Sequence, residues 1–532
     1  MITKVAPTDT DVVVIGGGGA GLIAAVTAAT HGARVVLLEK GDRIGGTTGL
    51  SVGTIMAAGS IYQQAAGISD SPEAHAAELS ALATARGFEQ DPDLNRMFTE
   101  NSAGTIAFLH KLGVNFLGPL PQPPYAVDRM HQVMPGSKAY IDRLEKAARR
   151  LNVQIFVQSR VTKILMEGDR VAGVEAAGPG GESITVRARQ AVILASGDMS
   201  ANAALLRKYI PSWPEDISPI NPLSTGDGQL MAAAIGAQIV GRPDYGPQHI
   251  LNLRFLTPPK PTFFSKLPLF SAATGAMTWA VKHMPAFMIR PFASSFLASS
   301  IVPDPQVYEA GAMLVDTQGG PIVAGMTAGI QVAKLPKKQC YVLLDDRLAA
   351  KFNRWPHFFA TAPGVAYAYF KDFKRSRPDL LFTARTLTEL SAKLGFVGGQ
   401  LEKTVADVNG GREPDKQLMK GPYHALGPLQ LWALPSPIGL RVDTQLRVLN
   451  PDGAPIPGLF AAGGVGVGKF NVILGHGHGL GWAFTSGRLA GQNAVQLAQT
   501  MDTGNVARRA DELVERRGAP AAVGTSSKVS TY

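Results

Sequence analysis

The sequence predicts an α/β protein built on a Rossmann-type nucleotide-binding unit. Three observations predict it: an apolar run near the N-terminus, a glycine turn directly after it, and a second apolar run that ends on an acid. Val12-Val13-Val14-Ile15 has the unbroken apolar character of a parallel strand buried on both faces. Gly16-Gly17-Gly18-Gly19-Ala20-Gly21 satisfies the GxGxxG spacing and opens an alanine-rich helical stretch that ends near His31-Gly32. Arg34 to Leu38 reads as the second strand, closed by Glu39. In such a βαβ opening Gly16 permits the tight turn, Gly18 lets a diphosphate approach the backbone, and Gly21 lets helix and strand pack closely. The helix N-terminus at Gly19 and Ala20 would face the diphosphate with free N–H groups and its positive dipole end. Glu39 stands where a carboxylate accepts hydrogen bonds from ribose hydroxyls.

A chain of 532 residues exceeds one ordinary domain, and 45% hydrophobic against 17% charged residues supplies a sizeable core. Cys340 is the single cysteine, which excludes an intramolecular disulfide framework and a cysteine-rich metal site, and no metal site is expected. The N-terminus lacks a signal-peptide layout and no apolar run reaches about 18 residues, so a cytoplasmic location without a spanning helix is expected. The net charge of +10 suits an acidic partner or an anionic membrane surface, and equally serves solubility. No nucleic-acid motif is present, and no nucleic-acid partner is expected.

Past the acid, Lys40-Gly41-Asp42-Arg43-Ile44-Gly45-Gly46-Thr47-Thr48 makes a second glycine turn. Together with the opening motif it resembles the flavoprotein superfamily of soluble fumarate reductases, succinate dehydrogenase flavoproteins and 3-ketosteroid dehydrogenases. The resemblance recurs in order along the chain. It is carried by Val192 to Asp198, by Ser224-Thr225-Gly226-Asp227-Gly228 opening a helix over Gln229 to Ile235, and by Gly311 to Asp316. It continues through Leu387 to Val408, Gly439 to Asp443 and Pro457 to Gly463. It implies FAD as cofactor, a discontinuous FAD-binding domain over 1–235 and 430–500, and an inserted α+β cap domain over 236–429. A C-terminal helix and flexible tail would occupy 501–532. Leu151 to Leu194, with its Gly178-Pro179-Gly180-Gly181 turn, reads as antiparallel strands inserted in the Rossmann order.

The same resemblance implies the cofactor contacts. Gly16, Gly18, Gly19, Ala20 and Gly21 would serve the diphosphate, Glu39 and Lys40 the ribose end, and Gly45, Gly46, Thr47 and Thr48 the second turn. Val161 would approach the adenine through its backbone, with Ala195, Ser196, Gly197 and Asp227 nearby. Gly463, Gly464, Gly479 and Leu480 would hold the flavin ring, with a helix from about Leu480 directing its N-terminus at the pyrimidine side. Gly464 stands where the family often has glutamate. Some relatives attach flavin through a histidine near the second turn; Thr47 and Thr48 stand there instead, so the FAD is expected to be non-covalent.

The catalytic pattern of the family is broken. Its two substrate arginines map near Gly329 and near Ile473 or Leu474, and its HTxGG histidine region reads Pro435-Ser436-Pro437-Ile438-Gly439. Bidentate guanidinium contacts hold carboxylates, so their loss argues against a dicarboxylate. The tyrosines of ketosteroid dehydrogenases are absent from the same positions. The glycine whose N–H polarises a ketone maps to Gly477. Candidates for proton transfer are His476 and His478, which point the same way if their segment is extended. Tyr125, His249, and the pair Tyr423 and His424 are further candidates.

Between Asp244 and Asp304 no acid occurs, while Arg254, Lys260, Lys266, Lys282 and Arg290 alternate with aromatic residues, Phe255, Phe263, Phe264, Phe270, Trp279, Phe287, Phe292 and Phe296 among them. This stretch over 250–300 suits a peripheral membrane contact, a lid over an apolar pocket or a buried cap core. The expected function is an FAD-dependent oxidoreductase that dehydrogenates or reduces a C–C bond beside a carbonyl. Its substrate would be hydrophobic, a steroid-like or other bulky apolar ketone, and an external electron acceptor or donor would complete the cycle. A flavin-dependent isomerase or hydratase, an oxygen-using flavoenzyme, and a flavin-binding protein without turnover stand as alternatives.

Overall fold

The computed structural model describes residues 9–517 apart from 243, 258–278, 280–297, 299–302, 363–365, 471 and 473. Strand β1 (Asp9–Ile15), helix α1 (Gly19–Thr30) and strand β2 (Val35–Leu38) form the expected βαβ opening. β1 and β2 pair in parallel, Val12 with Val35 through Ile15 with Leu38. Val12, Val13 and Val14 are fully buried because the sheet is covered on both faces. Each such side chain contributes roughly 1.5–3 kcal/mol relative to exposure.

Strand β3 (Ser183–Leu194) pairs in parallel with β1 on the other side and with Pro455–Ala461 beyond it. Gln154–Phe156 extends the sheet in parallel past β2. The interval from Leu151 to Leu194 is thus antiparallel only in part. Arg160–Glu167, Arg170–Ala177 and β3 make an antiparallel meander, turned at Gly178–Gly181, while Gln154–Phe156 joins the parallel stack. Strand polarity there follows from the crossover helix Lys138–Arg150, which returns the chain in the direction of β2.

A second, seven-stranded sheet lies apart. Strand β4 (Leu251–Phe255) pairs antiparallel with the long strand β5 (Tyr423–Ala433), which also pairs with Gln339–Asp345 and Leu381–Ala384. Its core is centred on Leu314, Val342, Phe373 and Leu429, and draws in Met199 and Leu206. Leu387–Leu394 and Gln400–Gly410 are separate helices, broken where Gly395 and Gly399 take left-handed φ of 69° and 80°. The Thr225-to-Gly228 turn opens a helix over Asp227–Ala233, two residues before the expected start, because left-handed Gly226 caps it and Asp227 begins its first turn.

The chain closes on helix α2 (His478–Arg517), packed along α1. The approach is backbone to backbone. A Cβ on Gly487 would lie 2.4 Å from the Ala20 carbonyl oxygen, and one on Gly491 2.3 Å from that of Ala24. Residues 518–532, which hold the expected tail, lie outside the described residues. So does most of 258–302, including Lys260, Lys266, Lys282 and Arg290, and with it the membrane, lid or core reading of that stretch. No described helix is long and apolar enough to cross a membrane.

Gly21 is the tightest of these contacts, since its Cβ would fall 1.9 Å from the Gly16 carbonyl oxygen. Gly21→Ala is expected to destabilise the protein by about 3 kcal/mol through forced separation of α1 from the turn. Chemical denaturation reads this directly, and a change within about 0.5 kcal/mol would show that the turn relaxes freely.

Candidate active site

A cavity of about 1020 Å3 runs from the β1–α1 turn to the start of α2. At one end the glycine turn leaves a cradle. Gly16 takes φ of 106° and its Cβ would meet the Ala195 carbonyl oxygen at 2.4 Å, so only glycine fits. Gly18 has no protein atom within 4 Å of its Cβ position and lines the cavity. The space beside it has the shape a diphosphate needs against bare backbone. Gly19 N–H donates to Thr48 Oγ1 at 3.1 Å, tying the first glycine turn to the second.

Glu39 is buried, and its two oxygens accept from Gly17 N–H and Gly41 N–H, each at 2.7 Å. These bonds fix the carboxylate at the cavity wall with lone pairs to spare for hydroxyl donors. Lys40 Nζ donates to Asp227 Oδ2 at 2.9 Å and Thr225 Oγ1 at 2.6 Å. The lysine holds the Asp227 carboxyl below its usual range, against the opposing effect of burial. Gly46, Thr47, Thr48, Val161, Ala195, Ser196 and Gly197 complete this end of the lining. Gly21 and Gly45 do not reach the cavity: Gly21 packs on Gly16, and Gly45 bridges to Gly18 with φ of 132°.

Toward the other end Gly463, Gly464, Gly479, Leu480 and Trp482 line the wall. α2 begins at His478, two residues earlier than expected, with Gly477 at φ of 95° turning the chain into it. Gly464 packs closely on Asp198, whose N would lie 3.0 Å from a Cβ at 464. Asp198 itself lines the cavity and accepts from Ser200 N–H and Ser436 N–H at 2.7 and 3.1 Å. Burial raises its pKa. A carboxyl thus stands beside the position where the family carries a glutamate.

The proton-transfer candidates divide. His476, Gly477 and His249 line the cavity; His478 and Tyr125 do not. The two histidines were expected to point the same way, but the helix start intervenes: His476 sits in the preceding turn, while His478 is fully buried as the first helical residue. Behind the turn, His478 Nδ1–H donates to the Gly475 carbonyl at 3.3 Å. Its Nε2 stands 3.4 Å from both Tyr125 Oη and His75 Nε2. Burial lowers His478 to about 4 and pushes Tyr125 well above the ordinary phenol range. This neutral cluster holds the shape of the loop that presents His476. His424 bonds Thr383 in the second sheet, and neither it nor Tyr423 lines the cavity.

His476 lines the cavity with its side chain exposed there, and partial loss of water around the ring, followed by the charge of Arg254, lowers its pKa. The Gly477 N–H has no acceptor among the described residues. His249 Nδ1 accepts from Gly246 N–H at 3.2 Å, which places its proton on Nε2. Phe88 and Tyr245 meet its ring edge-on. Four cavity-lining arginines carry none of the roles assigned from motifs: Arg43, Arg86, Arg160 and Arg254. Arg254 is visible in the sequence only as part of a basic and aromatic stretch. Its place in the site comes from the pairing of β4 with β5. Among the described residues no group of acids, histidines and cysteine is arranged to hold a metal.

Fold and cavity together define an FAD-binding flavoprotein. The FAD-binding domain family matches residues 11–260 and 331–477, and the chain belongs to it. The chain is 27% identical over 515 residues to NADH:fumarate oxidoreductase of Klebsiella pneumoniae, covering 93% of this chain but 48% of the relative, about half its length. Urocanate reductase of Eggerthella lenta is 28% identical over 524 residues, covering 92% and 75%. The open conformation of a flavocytochrome c3 fumarate reductase superposes with a TM-score of 0.70 at 25% identity, covering 92% of this chain and 78% of that one. FAD is therefore the cofactor that the cradle serves, as the resemblance implied.

The buried histidines make stability depend on pH in a defined direction. His478 binds a proton less readily in the folded than in the unfolded chain, so its contribution is complete above about pH 6.5 and declines as pH falls toward 4. Melting curves from pH 7 to 5 should fall, and His478→Gln should flatten that slope. An unchanged slope in the variant would refute this role.

Proposed function

We propose that the protein interconverts a C–C single and double bond beside a carbonyl, as an FAD-dependent dehydrogenase or ene-reductase. The observation that carries this reading is the cavity that joins the FAD cradle to His476 and to the Gly477 N–H, which has no acceptor among the described residues. The names of the relatives, fumarate and urocanate reductases, support it. The working division is an FAD-binding unit of 1–235 and 430–500 with a cap of 236–429. The substrate body is apolar, a steroid-like skeleton being one form, and an external acceptor or donor exchanges the electrons.

FAD, when bound, supplies a two-electron acceptor or donor. The remaining chemistry belongs to the chain. The Gly477 N–H donates to the substrate carbonyl, withdrawing electron density and acidifying the adjacent C–H. His249, with its proton fixed on Nε2, is a second donor for the same polar group. His476 is neutral at pH 7 because partial loss of water and Arg254 disfavour its charged form, and it takes the α-proton. In the reverse direction protonated His476 returns that proton to carbon. Tyr125 and His478 position this machinery through the Gly475 carbonyl. The FAD is held non-covalently, since no histidine belongs to the second glycine turn and Thr48 there is engaged by Gly19 N–H.

Anaerobic titration of the holoprotein with saturated and α,β-unsaturated ketones, steroids, monocarboxylates and small dicarboxylates tests the reaction class. Saturated compounds of the right class should bleach the absorbance near about 450 nm, and their unsaturated partners should restore it. Acid precipitation of the same protein should leave FAD in the supernatant. No bleaching or recovery with any compound at full FAD occupancy would overturn the assignment. Reoxidation by air with product hydroxylation would favour oxygen chemistry instead.

His476→Ala should lower kcat/KM by roughly 10²–10⁴ with FAD content unchanged. For dehydrogenation, the wild-type rate should fall on the acid side as His476 protonates below its ordinary pKa of about 6.5. The variant should lose that limb. An acid limb identical in both proteins would remove His476 from the proton transfer.

A further inference from the structure

We propose that Arg254 is a specificity-determining residue that binds one carboxylate of the substrate. This rests on the reading of the cavity as the reaction site, and it narrows the substrate to an apolar molecule with a single anionic group. Arg254 lies on β4, half-buried, and lines the cavity together with His249 and His476. Its guanidinium makes no hydrogen bond or ion pair with any described residue, although its backbone belongs to the β4–β5 ladder. Its register partner on β5 is Gln430, whose Oε1 is already taken by Gln339 Nε2 at 2.9 Å.

The cavity offers no internal counter-charge. Glu39 is held by two backbone N–H groups, Asp227 by Lys40 and Arg160, and Asp198 by Ser200 and Ser436. Nor does the neighbouring segment 258–302 supply one, for it contains no aspartate or glutamate. A guanidinium withdrawn from water with no acid to face gains most from an anion that arrives with the ligand, because charge-assisted hydrogen bonds strengthen as water is excluded. Burial alone lowers its pKa, which agrees with a cation lacking a partner.

The arrangement also explains why the arginine is not found by motif. Residue 329, where the resemblance places a substrate arginine, is a buried glycine whose Cβ would lie 3.1 Å from Leu251 Cβ. A side chain at 329 would therefore press on β4, and the same strand delivers a cation three residues later. Arg43, Arg86 and Arg160, the other unassigned cations of the lining, are exposed, where solvent screens them, and Arg160 is paired with Asp227. One desolvated arginine fits one carboxylate.

The test is binding to the FAD-loaded full chain by calorimetry, with 3-phenylpropanoate, its neutral amide 3-phenylpropanamide, and inorganic phosphate. The carboxylate should bind about tenfold or more tighter than the amide. Arg254→Met should abolish that preference at unchanged FAD content and melting temperature, and Arg254→Lys should restore part of it. Equal binding of the two compounds, no binding of either, or a preference that survives in R254M would overturn the proposal. So would phosphate displacing the carboxylate with equal affinity, which would mark a general anion site. Because no turnover is measured, a carboxylate preference combined with failure of the anaerobic titration would sink the reaction class and leave the anion site standing.

Discussion

The structure depends on one constraint, the approach of backbone to backbone at the β1–α1 turn. Gly16 sits against Ala195, Gly21 against Gly16, and α2 lies along α1 through Gly487 and Gly491. Each contact places a carbonyl oxygen where a Cβ would be. The reward is that bare N–H groups and an open face at Gly18 are left for an anionic cofactor. Because α2 is anchored on α1, its first turn is anchored too, and so are Gly477 and His476 just before it. The cofactor cradle and the proton-transfer residue are thereby set by a single piece of packing.

Charge is distributed along the cavity in a consistent way. At the cradle end, every acid is neutralised within the protein: Glu39 by backbone donors and Asp227 by Lys40 and Arg160. At the other end, the balance reverses, with histidines held toward the neutral form and an arginine whose guanidinium has no acid partner among the described residues. The His75, Tyr125 and His478 cluster stays uncharged because burial disfavours every ionised form. It can therefore shape the Gly475 to Gly477 turn without adding a field of its own.

The divergence from the family pattern is concentrated where β4 meets β5. Leu251 packs close over Gly329, and Arg254 enters the cavity from the same strand. Loss of a cation at one chain position and its appearance at another is invisible to residue-by-residue transfer. The missing arginines spoke correctly of the motif positions, but they did not describe the cavity. A similar exchange links Gly464 to Asp198, where a carboxyl sits beside a position that has lost one.

The sequence by itself determined the βαβ opening, the FAD-binding class and most of the lining of the cradle. These features are local: an apolar run of strand length, glycines at fixed spacing and an acid at the strand end each act within a few residues of one another. It also offered His476, Gly477 and His249 as candidates, and all three line the cavity. Tertiary structure alone decided the rest. Whether His476 or His478 faces the cavity depended on a helix starting two residues early, and Tyr125 was turned inward by packing on His478. Arg254 entered the site through strand pairing with residues more than 170 positions away in the chain, from Arg254 to Gln430. Periodicity reports which face of an element is buried, but not which cavity its polar positions reach, since that is fixed by long-range pairing and packing.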